Sequence, residues 1–387
     1  MLALLLLLQT QPAEIVVNGK RLQEAEAVCI RSGCTPRRDA QVSIALAETQ
    51  FRQGEYLHAR RTLSAALARH RDAAATDPKP VAALYEALAT VAMHEGDQDV
   101  YRRAVAGRIH TLRDNLPARD PSVVAATPAL GDMWARLGNY PQAIASYRTA
   151  ERAATEAGQD TAAMLAAIQQ VWLTAAIGRP TRARQMLAAI ETRPIAQDPG
   201  MRTLMRVMRF RLDARDADDA TMTKLVDDLG RTQAANPVLV WAPAFPRDAV
   251  EAANADAQKF GSTDAVRTGP ADVSDTEWID VGFWIRPDGR TAEAEVLRGS
   301  RGAPWTRAML AQVEGRRYAQ AGAGPANVVP GIGDGMVSAG LYRVERITKR
   351  TTYATPVGSL IRRRVPVEGF ETLDLTDAKS SPTPAKI

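Results

Sequence analysis

The stretch Leu130-Gly131-Asp132-Met133-Trp134-Ala135-Arg136-Leu137-Gly138-Asn139-Tyr140, continued by Ala143, Tyr147 and Ala150, decides the fold. Apolar residues run at helical spacing up to Leu137, stop at a glycine, and resume from Tyr140 with the same spacing. A glycine between two such runs supplies the turn of a helical hairpin. The arrangement recurs in Gln53-Gly54-Glu55-Tyr56, Glu95-Gly96-Asp97 and Ile177-Gly178-Arg179-Pro180. Gly54, Gly96, Gly138 and Gly178 therefore stand about 40 residues apart, a supersecondary period. Leu46 and Ala47 precede the first turn, and Tyr56, Ala59, Leu63 and Ala66 follow it; Ala183 and Leu187 follow the fourth.

This pattern resembles the tetratricopeptide repeat family, whose units carry a Leu-Gly pair on the first helix, a Gly-x-Tyr turn, and small residues where the two helices cross. The second unit departs from it, because Tyr101 occupies the place of a small alanine. The spacing also exceeds the roughly 34 residues usual for the family, so longer connections are expected at Asp77-Pro78-Lys79-Pro80 and Asp120-Pro121. A further hairpin from about Met201 to Leu229 continues the helical periodicity and is expected to cap the array. The resemblance implies a groove lined by the first helix of each unit, which places Ile44, Phe51, Met93, Ile168 and Trp172 toward a bound peptide or protein segment. The competing expectation is that these apolar side chains simply pack between helices.

Beyond Gly230 the texture changes. Asn236-Pro237 opens an apolar run through Trp241, and Pro243 and Pro246 follow. Glu277 to Arg286 then alternates, with Ile279, Val281, Phe283 and Ile285 on one face, and meets Pro287-Asp288-Gly289, a strand followed by a turn. Thr291 to Arg298 alternates again and completes a hairpin. Gly299 to Pro304 reads as loop, Trp305 to Val313 as helix, Ala321 to Gly340 as a glycine-rich loop and Leu341 to Ile347 as a final strand. The run Asp280 to Gly289, then Glu295 to Ser300, then Arg316-Arg317-Tyr318 looks like the C-terminal domain of TonB-type energy transducers. That resemblance implies a periplasmic domain that pairs with an extended segment of an outer-membrane transporter by strand addition. The sequence shows no membrane-spanning anchor and no long proline-rich spacer, so the role expected is that of a binding relative, not of an energy transducer.

The N-terminus, with Leu4 to Leu8 followed by Gln-Thr-Gln-Pro-Ala, has the apolar core of a short secretory signal and is too short to span a bilayer. Export to the periplasm is the expectation, with cleavage around Ala13, and a cytoplasmic chain is the alternative. Cys29 and Cys34 are the only cysteines; a local disulfide is expected in an oxidising compartment, and two reduced core thiols are the alternative. The four histidines are scattered, and none sits near the pair to complete a zinc site; His58, His70 and His110 read as surface residues of helices.

At 387 residues, with 45% hydrophobic and 24% charged residues, the chain has material for more than one folding unit and for a sizeable core. The net charge of +5 comes from interspersed charges of both signs, and no basic run is interleaved with aromatics, which argues against nucleic acid. Arg362-Arg363-Arg364 reads as a charged tail. His94-Glu95 lacks the second histidine of a zinc helix, Gly299-Ser300-Arg301-Gly302 lacks the spacing of a nucleophile elbow, and Gly331-Ile332-Gly333-Asp334-Gly335 links no strand to a helix. The expected organisation is a signal over 1–13, a mainly α array of tetratricopeptide-like hairpins over 14–235, a small α+β domain over 236–350 built from a β-hairpin, a helix and a strand, and a mostly irregular tail over 351–387. The expected function is an exported scaffold that binds protein or peptide partners in the cell envelope, with outer-membrane transporters as the class the resemblance implies. No catalytic residue, cofactor, metal, nucleic-acid partner or membrane span of the mature chain is expected. A cell-envelope enzyme with a site between the domains is the alternative.

Overall fold

The computed structural model describes residues 13–214, 221–222, 224–226, 237–245, 266–268, 276–286, 288–300, 304–319, 341–356 and 365–376. The apolar run within 1–12 expected to be a signal, the glycine-rich run Gly331–Gly335 and the Arg362–Arg364 cluster lie outside them. The chain is a series of tetratricopeptide-like helical hairpins followed by a smaller region of antiparallel sheet. It divides into two compact units between Met133 and Trp134.

The first unit begins with α1 (Ala13–Ser32), α2 (Pro36–Arg52) and α3 (Tyr56–His70), and continues with α4 (Pro78–Glu95), α5 (Gln98–Asn115) and α6 (Pro121–Ala126). A disulfide joins Cys29 near the end of α1 to Cys34 in the connection to α2. Prolines open α4 and α6, where a missing N–H leaves no helical bond unmade. The start of α2 is organised by Asp39, which is buried. Its carboxylate accepts from Arg69 Nε at 2.8 Å and Arg69 Nη2 at 2.9 Å, from Ser43 Oγ at 3.1 Å, and lies 2.6 Å from His70 Nε2. His70 is thus part of a buried network, a partnership between α2 and α3 that no local spacing announces.

The division falls within α7 (Ala129–Arg136). The second unit continues through α8 (Tyr140–Glu156), α9 (Asp160–Ala176), α10 (Pro180–Glu191) and α11 (Pro199–Asp213). All four predicted turn glycines have positive φ, between 75° and 82°. Each hairpin closes in the same way, the residue after the glycine donating its N–H to a carbonyl five residues back: Glu55 to Gln50, Asp97 to Ala92, Asn139 to Trp134 and Arg179 to Thr174. This is the bond of a Schellman turn, and it satisfies a carbonyl that the helix end would leave orphaned. Five residues beyond the glycine, Ala59, Ala143 and Ala183 are completely buried, as closely crossing helices require. Tyr101 takes that place in the second hairpin and is buried too.

The sheet region comprises β1 (Val238–Trp241), β2 (Val266–Thr268), β3 (Glu277–Ile285), β4 (Thr291–Gly299), α12 (Pro304–Glu314), β5 (Arg317–Ala319), β6 (Leu341–Pro356) and β7 (Val365–Asp374). β1 and β5 form a two-stranded ribbon; the larger sheet runs β2-β6-β3-β4, with β7 also on β6, and every described pairing is antiparallel. At the β3–β4 turn Arg286 N–H donates to the Arg290 carbonyl, and Gly289 fits against the Tyr318 carbonyl, which would lie 2.1 Å from a Cβ. Alternation sends Ile279, Val281, Phe283 and Ile285 into a core with Trp305, Met309 and Val313 of α12, Tyr318 and Ile347.

Two expectations change here. The stretch 351–387, expected to be mostly irregular, contains the end of β6 and all of β7. Pro366 and Gly369 disguise β7 as loop, yet a proline is tolerated where a strand has a neighbour on one side only, and among the described strands β7 pairs only with β6. The division between units also differs from the boundary expected at 235/236. Val207 and Phe210 of α11, with Ala214 just after it, share a core with Val240 of β1 and Ala319 of β5, which ties α11 to the sheet region.

Candidate binding site

Helix α9 is apolar almost all round. Met164, Ala167, Ile168, Val171 and Ala175 pack with α10 and α11, and Leu173 packs with Ala143 and Tyr147 of α8. Two of its buried polar side chains are matched: Gln170 Nε2 donates to Glu151 Oε2 at 2.6 Å, Thr174 Oγ1 donates to the Gln170 carbonyl at 2.7 Å, and Arg193 holds the other oxygen of Glu151, whereas the buried Gln169 Oε1 accepts no hydrogen bond from a described residue. With those faces covered, Leu165 and Trp172 remain 42% and 49% exposed. Seven residues apart, they lie on one side of the helix two turns from each other, a rigid apolar stripe.

Next to Trp172 lies a cavity of about 610 Å³. Trp172, Ala175 and Ala176 of α9, Arg211 and Leu212 of α11, and the segment Leu239–Ala242 with Ala244 line it. The strand wall is held in place along its length. β1 pairs with β5, Arg343 Nη2 donates to the Pro237 carbonyl at 3.2 Å, and Gln312 Nε2 donates to the Pro243 carbonyl at 3.0 Å. Leu239 turns toward the sheet core and Val240 toward α11, as the period of a strand dictates.

Among the described residues Arg211 is the one charged member of the lining. Its guanidinium sits 5.3 Å from the centre of the Trp172 ring and donates to the Leu239 carbonyl. Burial holds its pKa below the usual arginine value, since desolvation disfavours the cation. Among the described residues no carboxylate lies within ion-pair distance of it. Among the described residues the lining offers no Ser, Thr, Cys, His, Lys, Asp or Glu side chain. Among the described residues no group of three or more His, Cys, Asp or Glu side chains is placed to hold a metal ion.

The structure separates the five residues expected to line a groove. Phe51 is buried, edge-on to Tyr56 and His94 at 4.9 Å each, and Ile168 is buried in the core of the second unit. These two are therefore packing residues; each fits the competing expectation. Ile44 and Met93 are half-buried in the first unit, and Trp172 alone of the five is exposed. Leu165, Arg211 and Trp241 escaped the sequence. Leu165 had one available signal, its place on a helix with more apolar faces than its neighbours can cover. Arg211 had none, because it is one of many arginines and only the arrival of β1 distinguishes it.

No protein-family model matches the chain, and no curated protein matches it. Solved structures do show likenesses. BtubC (BKLC) from P. vanneervenii aligns at 15% identity with a TM-score of 0.44, covering 57% of this chain and 90% of that one. A putative kinesin light chain from Podosopora anserina with nearly identical TPR-like repeats aligns at 13% identity with a TM-score of 0.40, covering 50% of this chain and 94% of that one. The STAND protein PH0952 from Pyrococcus horikoshii, which has a tetratricopeptide repeat sensor, aligns at 13% identity with a TM-score of 0.41, covering 54% of this chain and 31% of that one.

Proposed function

We propose that this protein is a scaffold that works by binding protein or peptide segments and not by catalysis. The observation that carries it is the Leu165–Trp172 stripe: two large apolar side chains displayed on a helix that is otherwise packed on three neighbours. Large aromatic side chains on a rigid frame are the usual anchors of protein interfaces, because their burial releases much water at little cost in side-chain entropy. Export to an oxidising compartment belongs to the same proposal, supported by the Cys29–Cys34 disulfide. In the sheet region β4 has only β3 as a described neighbour and β7 only β6, so strand addition along an outer edge is a second binding mode open to it, the mode that the resemblance to TonB-type domains implies.

The test is a photocrosslinking residue placed at position 165 or, as a control, at the exposed Gln185 of α10, with the full chain in intact envelopes. A protein adduct formed at 165, absent at 185 and lost in Trp172→Ala is expected. Equal adducts at both positions, or adducts indifferent to Trp172, would overturn the assignment.

A further inference from the structure

We propose that the cavity between α9, α11 and β1 binds a small apolar monocarboxylate, its hydrocarbon body between Trp172 and Trp241 and its carboxylate on Arg211. Three observations lead there. The volume, about 610 Å³, is that of a small-ligand site, and the walls are alanine, leucine, valine and tryptophan. A single guanidinium faces this apolar space, and its one hydrogen-bond acceptor among the described residues is the Leu239 carbonyl, which leaves further donors of its planar fork for a ligand. A charge held in apolar surroundings, with no carboxylate partner among the described residues, favours an anion, and a planar carboxylate matches the guanidinium fork in two parallel hydrogen bonds.

The same lining argues for a hydrocarbon body. Apart from two indole N–H groups and Arg211, the described lining side chains offer no hydrogen-bonding group, and in the neighbouring strand wall β1 pairs with β5 while the Leu239 and Pro243 carbonyls accept from Arg211 and Gln312. A peptide backbone would bring a donor and an acceptor at every residue, each costly to bury unmatched. One carboxylate on an alkyl or aromatic body brings a single anionic group to the single cation among the described lining residues. This site is distinct from the exposed stripe. Trp172 belongs to both, but Leu165 does not line the cavity.

Octanoate and octanamide test the idea, titrated into the full chain with tryptophan fluorescence as the readout. Octanoate is expected to bind saturably and at least about tenfold more tightly than the amide, the difference a charge-assisted pair makes. Arg211→Gln is expected to bring the two ligands to within about twofold of each other. Because that change also removes the bond to Leu239, Ala176→Leu serves as a second variant: it fills the cavity from the end of α9 and is expected to weaken both ligands. Leu165→Lys is expected to leave octanoate binding unchanged while abolishing protein capture, so the two functions fail separately. Equal binding of acid and amide to the unaltered chain, an acid preference that survives Arg211→Gln, or undiminished binding in Ala176→Leu would overturn the proposal.

Discussion

Two buried carboxylates mark the difference between the helical first unit and the C-terminal sheet. Glu95 is the last residue of α4, fully buried, and neither of its oxygens accepts a hydrogen bond from a described residue; Arg60 Nη1 stands 3.3 Å away but is nearer Asp97, at 2.9 Å. Asp280 of β3 is equally buried, yet Arg298 Nη2 donates to its Oδ2 at 2.6 Å and Arg346 donates to both of its oxygens. Strand register brings this about. Asp280 faces Arg298 across β4 and Arg346 across β6, so one carboxylate receives a guanidinium from either side, and Trp278 stacks 3.8 Å over Arg346. A helix satisfies its backbone internally and offers the side chain at its end whatever the next helix happens to bring. A helix can be well served, as Asp39 is by Arg69 and His70 of α3, but only as the next helix allows; in the sheet, register carries both partners to Asp280.

Breaking the matched set gives the largest expected effect. Asp280→Asn removes a countercharge from Arg346, which has no access to solvent, and is expected to cost about 3–5 kcal/mol. The loss is read by urea unfolding, with the stacked Trp278 as a local fluorescent reporter. The double variant Asp280→Leu with Arg346→Met, which removes both charges and keeps the volume, is expected to recover most of it. A wild-type melt for Asp280→Asn alone would mean that register, not charge, holds β3 and β6 together.

The poorly matched carboxylate gives a smaller effect with a pH signature. Burial raises the Glu95 pKa from its ordinary 4.5 to about 7, helped by Asp97 and opposed by Arg60. Below pH 4.5 the side chain is protonated whether the chain is folded or not, and costs nothing. Between pH 4.5 and 7 the unfolded chain ionises and the folded one does not, so stability falls as pH rises, by about 3 kcal/mol in all, and then levels off. Glu95→Gln is expected to abolish this component, so that the variant gains on the natural chain at pH 8 and not at pH 4. An identical pH profile for the two proteins would place Glu95 in contact with water or with a better partner.

The same contrast explains what the sequence could disclose. Gly54, Gly96, Gly138 and Gly178 were legible because a helical hairpin is written within about ten residues: an apolar run, a glycine, a second run. The hairpin β3–β4 was legible for the same reason, through alternation on either side of Asp288-Gly289. Nothing local says that Asp39 will meet Arg69 and His70, or that Asp280 will meet an arginine 66 positions away. β7 was lost to its own Pro366 and Gly369, since a strand that borrows its order from β6 needs little propensity of its own. In the candidate site the exposed Trp172 was named among four others that the fold turned inward or half inward, because a helix with apolar residues on every face does not reveal which face will stay uncovered.

The smallest expected effect probes the most legible feature. Gly138 sits at φ +75° with nothing within 4 Å of the position a Cβ would take, so substitution meets no clash and acts through backbone strain alone. Gly138→Ala is therefore expected to cost about 1 kcal/mol, the price of holding an L-residue in the left-handed region. Gly138→Asn is expected to cost less, because asparagine tolerates that conformation. Thermal melts of the two variants read the difference directly. Were alanine and asparagine equally harmless, the Asn139–Trp134 bond and the packing of Ala143 and Tyr147 would suffice to close the hairpin, and the glycine period would mark the repeat without enforcing it.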